Sequence, residues 1–221
     1  CNLMSGCVAI VFALSANYSM ALTFIVVGAV FDFFDGMSAR LLGVSSPIGK
    51  ELDSLADVVT FGVAPSMMIY TILLTIDKTG YNDILAAAAP YVAFVMAAFS
   101  AIRLAKFNLD ERQTTSFIGL PTPANALFWG ALIVGSEEYL ALSSGSIYIL
   151  LIMVFVSSWL LVAEIPMFAL KFKHWGWREN KIKYVFLVSC LPLLLIFGIT
   201  GISVIIAWYI CLSVITSKKN A

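Results

Sequence analysis

Four aspartates make up the part of this sequence best suited to chemistry. In the stretch from Phe31 to Arg40, Asp32 and Asp35 stand three apart, and Gly36, Ala39 and Arg40 follow Asp32 at offsets of four, seven and eight. A helix repeats every 3.6 residues, so all five share one face. In the next stretch Gly49, Asp53 and Asp57 recur every four residues, again on one helix face. The short link 43–48 joins the two, so two acidic stripes on neighbouring helices can look at each other across a cleft. Four carboxylates gathered there repel, and one arginine cannot neutralise them, so the pattern calls for cations. With neither Cys nor His at these positions, the hard oxygen donors suit Mg²⁺ or Mn²⁺. Two such ions would balance four aspartates and could clamp a diphosphate, polarising its phosphorus and steadying a leaving group. Gly36, Ala39 and Gly49 leave room for a phosphate or nucleotide to reach the backbone. Close helix packing through small residues is their plainer role, and the two can coexist.

The elements that carry these stripes are read from composition and run length. Of 221 residues, 61% are hydrophobic and 12% charged, against about 25% charged in a soluble domain. Lipid is therefore the solvent for most of the chain, and a crossing helix needs about 20 apolar residues. Apolar runs predict an all-α polytopic membrane protein of a single domain, 1–221, with about eight transmembrane helices: 3–16, 20–42, 51–76, 83–107, 121–140, 146–170, 182–199 and 201–216. With both termini cytoplasmic, Arg40, Lys50, Arg103, Lys106, Arg112, Lys171, Lys173, Arg178, Lys181, Lys183, Lys218 and Lys219 fall on the cytoplasmic side, and only Lys78 falls outside. Basic residues near span ends set orientation, so one partition supports both the count and the direction. Both acidic stripes then lie toward the cytoplasmic face. Tyr81, Tyr139 and Tyr148 would anchor the outer interface, and Trp175, Trp177 and Tyr184 the inner one. The chain opens on Cys1 with a short first run, and a few preceding residues are expected. The four cysteines have no metal-binding spacing, and a net charge of zero without a basic stripe gives nucleic-acid binding no support.

The full pattern is Asp32-x2-Asp35-Gly36-x2-Ala39-Arg40-x8-Gly49-x3-Asp53-x3-Asp57. It resembles the signature of the CDP-alcohol phosphotransferase family at every fixed residue and both long gaps. That resemblance implies that Asp32, Asp35 and Asp53 bind metal, that Asp57 helps hold metal and acts as general base, and that Gly36, Ala39, Arg40 and Gly49 contact the CDP group. It also implies a homodimer. Residues 52–66, 103–108 and 117–126 resemble the corresponding stretches of the serine-accepting, membrane-spanning branch of that family, and 2–7 resemble the start of that branch's first span, which adds Asn2 to the nucleotide contacts. The substrates implied are CDP-diacylglycerol and L-serine, at the inner cell membrane with the site facing the cytoplasm.

Arg103 and Lys106, one turn apart beside Asn108, could bind the serine carboxylate or a lipid phosphate; ordinary anchoring at the interface is the alternative. Glu164 is expected inside the sixth span, about two turns from its end, where it could pair with Arg103 or Lys171 or equally satisfy backbone groups freed by Pro166. The segment 113–123 is a cap over the acceptor site or a stiff connector. A synthase for another acceptor, such as glycerol 3-phosphate, is the nearest rival. A cation transporter is a rival of another class, but the acids cluster at one end instead of crossing the bilayer, and transport gives no reason for the Gly/Ala/Arg spacing.

Overall fold

The computed structural model describes residues 1–43, 46–77, 81–110, 117–142, 145–167 and 176–220. Among them the chain is all-helical apart from one short ribbon. Helix α1 (Asn2–Leu14) leads through a tight turn to α2 (Tyr18–Leu42), which is capped by Asn17 Oδ1 accepting from the Met20 N–H. Gly43, at φ 63, ends α2 in the left-handed conformation that glycine adopts without strain. Ser46 then caps α3 (Pro47–Asp57) by accepting the Gly49 N–H at 3.0 Å, with Pro47 in the first turn, where its missing N–H is harmless. After Asp57 the backbone widens into a π-helical turn, Val58–Val63, before continuing as α4 (Ala64–Thr75). Pro65 has no N–H to offer back along the helix, and Ser66 Oγ donates to the Gly62 carbonyl at 2.8 Å.

Helix α5 (Asp83–Val92) and α6 (Phe94–Leu109) form one rod interrupted at Ala93, three residues after Pro90. Then come α7 (Thr122–Leu142), α8 (Ser146–Val162), α9 (Trp177–Phe197) and α10 (Thr200–Asn220). The stretches Tyr18–Leu42, Pro47–Thr75, Asp83–Leu109 and Asn180–Phe197 are long and apolar enough to cross a membrane, and Asn2–Leu14, Ser146–Val162 and Thr200–Thr216 are shorter apolar helices. Helix α7 occupies the middle, packed on α2, α4, α8 and α10. Its Trp129 is fully buried and donates to Ser157 Oγ at 3.1 Å, while Ser203 Oγ of α10 donates to the Phe128 carbonyl at 2.7 Å. A Cβ added at Gly135 would collide with Thr200, so glycine is what lets α10 start against α7.

The sixth apolar run departs from expectation. Helix α8 stops at Val162, not at 170, because Pro166 cannot continue it and residues 163–167 leave the helical path. Strand β2 (Pro166–Met167) pairs antiparallel with β1 (Phe117–Ile118). The pairing extends through Gly119 N–H to the Ile165 carbonyl and Leu120 N–H to the Leu160 carbonyl, both at 2.9 Å, which satisfies backbone groups freed at the helix end. Glu164 therefore lies outside the helix, on an exposed segment. Tyr81 and Tyr148 meet with ring centroids 5.2 Å apart, at the end of the bundle opposite the ribbon. Lys78, Arg112, Lys171, Lys173, His174, Trp175 and residues 113–116 lie outside the described residues.

Candidate active site

The two acidic stripes are held by helices that diverge. Helix α3 leans on α1 and α6 more than on α2, so the backbones of α2 and α3 stand apart while their side chains meet. Asp32 feels the charge of Asp53, Asp57 and Asp35. Asp35, Gly36, Ala39, Arg40, Gly49 and Asp53 are exposed, Asp32 is half-buried, and Asp57 is sunk at the base of the cleft with 8% of its surface accessible. Nothing lies within 4 Å of where a Cβ of Gly36 would be, so the space above it is open. At Gly49 a Cβ would fall 2.9 Å from Ser46 Oγ, which gives that glycine a second duty: it makes room for the cap of α3.

Asp57 is gripped from α1. Asn2 Nδ2 donates to Asp57 Oδ1 at 2.9 Å, and Thr60, one turn beyond Asp57, donates its hydroxyl to the Asn2 carbonyl at 3.1 Å. The helices can come this close because Gly6 lies against Thr60, where a Cβ would collide. Asn2 Oδ1 is buried without a partner. Thr60 was not singled out from sequence, although its position three residues after Asp57 puts it on the same face.

Helix α6 runs antiparallel along the other flank. Gly62 approaches Ser100, with a Cβ position 3.0 Å from Ser100 Cβ, and three residues on Arg103 comes into the field of Asp57. Arg103 is 7% exposed, its guanidinium lies 5.9 Å from the centroid of the Phe107 ring, and it also faces Tyr209 of α10. Lys106 points away and is exposed. Asn108 is tied up at the tip of the flank: its Nδ2 donates to Ser54 Oγ at 2.9 Å and reaches Glu51 Oε1 at 3.4 Å, and its carbonyl accepts from Lys50 Nζ at 2.7 Å. The structure thus brings Arg103 to the aspartates, leaves Lys106 outside, and makes Asn108 a bracket between α3 and α6. Tyr209, at the far end of the chain, offered no local sequence signal.

Among the described residues no three or more Asp, Glu, His or Cys side chains converge as a preformed cation cage. The donor chemistry nonetheless fits hard cations: Asp32, Asp53 and Asp57 offer only oxygens, they press on one another, and the nearest buried cation is a single arginine. An open, acidic, oxygen-lined cleft at one end of an apolar helical bundle is the class of site that handles polyanions at a lipid boundary.

Comparison with known proteins gives the class its family. The profile of the CDP-alcohol phosphatidyltransferase family matches residues 1–159, and the chain belongs to that family. Its members are enzymes that generally use divalent metals. The chain is similar to the CDP-diacylglycerol–serine O-phosphatidyltransferase of Helicobacter pylori, 32% identical over 99% of this chain and 92% of that one. It is also similar to proteins of the same name from Bacillus subtilis, 40% identical over 55% of this chain and 64% of that one, and Methanocaldococcus jannaschii, 35% identical over 69% and 66%. These three alignments span from just under two thirds to nearly all of the relatives' lengths.

Proposed function

We propose that this protein transfers a phosphatidyl group from CDP-diacylglycerol to the hydroxyl of L-serine, giving phosphatidylserine and CMP. The observation that carries the reading is that Asp32 shares its electrostatic field with Asp53 and Asp57 of the next helix, beside open space above Gly36. Asp32, Asp35, Asp53 and Asp57 would hold two divalent ions, Mg²⁺ or Mn²⁺, which when bound supply charge neutralisation for a diphosphate and for the departing CMP. Gly36, Ala39 and Arg40 line the open face where the cytidine diphosphate can lie, with Gly49 at its edge and Asn2 Oδ1 free to accept a further hydrogen bond. Arg103 is placed to receive the serine carboxylate; Lys106 and Asn108 act at the rim. Asp57, oriented by Asn2, takes the proton from the serine hydroxyl. The serine oxygen bonds to the β-phosphorus, the bond from that phosphorus to the bridging oxygen breaks, and CMP leaves with the electron pair. The lipid product stays in the bilayer. The reading places the cleft at the cytoplasmic face of the inner cell membrane, in a homodimer of eight-span subunits.

The test is CMP release from CDP-diacylglycerol in detergent micelles, with serine or glycerol 3-phosphate as acceptor, with and without chelator. Serine-dependent release that stops with chelator and returns with Mg²⁺ or Mn²⁺ is expected. Release driven by glycerol 3-phosphate instead would overturn the acceptor, and release indifferent to chelator would overturn the metal assignment.

A further inference from the structure

Thr60 stands inside the wide turn between α3 and α4, with none of its surface exposed. A buried helical threonine ordinarily returns its hydroxyl to a carbonyl three or four residues back along its own helix. Thr71 and Thr75 of α4 do so, donating to the Met67 and Ile72 carbonyls at 2.9 and 2.8 Å. Thr60 instead reaches across to α1 and donates to the Asn2 carbonyl at 3.1 Å. Its two branches meet two different helices. On the hydroxyl side lies Gly6 of α1, where an added Cβ would collide with Oγ1 and press on the Thr60 backbone. On the methyl side lies Gly28 of α2, where an added Cβ would collide with Cγ2. A β-branched side chain is stiff about χ1, so holding one branch holds the other.

Each contact stands one step from a carboxylate. Asn2, whose carbonyl takes the hydroxyl, grips Asp57 Oδ1 through its amide at 2.9 Å. Gly28, which takes the methyl, precedes Asp32 by four residues, one turn along the same face of α2. The Cβ position of Gly28 is also 3.2 Å from Asn2 Oδ1, so α1, α2 and the wide turn close on one another at this single joint.

We propose that Thr60 is a positioning residue that sets Asp32 and Asp57 relative to each other: its hydroxyl fixes Asn2 and through it the carboxyl of Asp57, while its methyl sets how closely α2 brings Asp32 to the same place. Fully buried, Thr60 acts only through these neighbours. The inference rests on the reading of the aspartates as ion-binding and proton-removing groups.

The test uses the full chain in detergent micelles and treats the two branches separately. Thr60→Val keeps the shape and removes the hydroxyl; it should lower kcat for serine-dependent CMP release about 2- to 12-fold, the worth of one neutral hydrogen bond. In an Asn2→Ala background, where the amide that grips Asp57 is already gone, the same change should cost less than about twofold. Thr60→Ser keeps the hydroxyl and removes the methyl; it should weaken Mn²⁺ binding, read from the electron paramagnetic resonance signal of the free ion, about two- to fourfold, up to the worth of one buried methyl group. Adding Gly28→Ala to Thr60→Ser supplies a methyl from the α2 side and should restore the affinity. Additive losses from Thr60→Val and Asn2→Ala, wild-type Mn²⁺ affinity in Thr60→Ser, or no recovery in the double variant would each overturn the proposal. The Mn²⁺ arm makes no use of the acceptor, so an absence of serine-dependent release would overturn the proposed acceptor while ion affinity still decided the role of Thr60. A wild-type chain that binds no Mn²⁺ would overturn the metal reading and this inference together.

Discussion

Removing the amide of Asn2 is the sharpest probe of how the cleft works. In the structure that amide donates to Asp57 Oδ1 at 2.9 Å, with Asn2 4% and Asp57 8% exposed, so water cannot readily replace it. A hydrogen bond to a charged group is worth about 1.5 to 3 kcal/mol. At about 1.4 kcal/mol per decade, Asn2→Ala should lower kcat roughly 10- to 150-fold if the bond orients Asp57 for proton removal. On the proposed mechanism the effect should fall on kcat, because the amide touches Asp57, the proposed base, and not the acceptor. The assay is serine-dependent CMP release over a matrix of CDP-diacylglycerol and serine concentrations, with thermal unfolding in detergent to establish that the variant is folded. Asn2→Ser, which keeps a shorter donor, should recover part of the rate. A folded Asn2→Ala variant with kcat within twofold of wild type and a raised KM for CDP-diacylglycerol would refute this reasoning and make Asn2 a nucleotide contact only.

Three further outcomes follow from the geometry. Asp57→Asn should abolish turnover while the protein is still recovered folded from membranes; measurable CMP release would remove Asp57 as the base. Arg103→Lys loses the planar, two-pronged donor and should raise the KM for serine at least tenfold, whereas exposed Lys106→Ala should change it less than threefold; equal effects would undo the distinction that burial makes between them. Gly119→Ala forces a Cβ onto a residue at φ 76, 2.6 Å from the Leu161 carbonyl, and should cost about 2 kcal/mol or more, read as a lowered unfolding temperature in detergent.

The parts of this molecule legible in its sequence are those fixed within a few helical turns. Asp32, Asp35, Asp53 and Asp57 declare their shared faces through spacings of three and four, and run length alone declares the helices. What the sequence hid depends on contacts between distant segments. The sixth apolar run predicts too long a helix because Ala163 to Leu170 stays largely apolar, while its end is decided by Pro166 and by pairing with Phe117–Ile118 almost fifty residues earlier. Arg103 and Lys106 look equivalent on paper, and only the rotation of α6 against Gly62 sends one inward and the other out. The resemblance implies a nucleotide contact for Asn2, but its bond to Asp57 spans 55 positions and leaves no local pattern.

The wide turn Val58–Val63 also sets the winding of the third rod. A π turn holds one residue more than an α turn, and one residue corresponds to about 100° of rotation about the axis. Below the turn the rod shows carboxylates to the cleft; above it Ala64, Met68 and Ile69 are wholly enclosed. Deleting one residue there would let the rod rewind evenly, and the two halves would fall out of phase by a quarter turn or more. Either the greasy half would be prised from its neighbours or Asp53 and Asp57 would swing away from Asp32, so the length of this hexapeptide sets the register between the acidic and the buried halves of the rod.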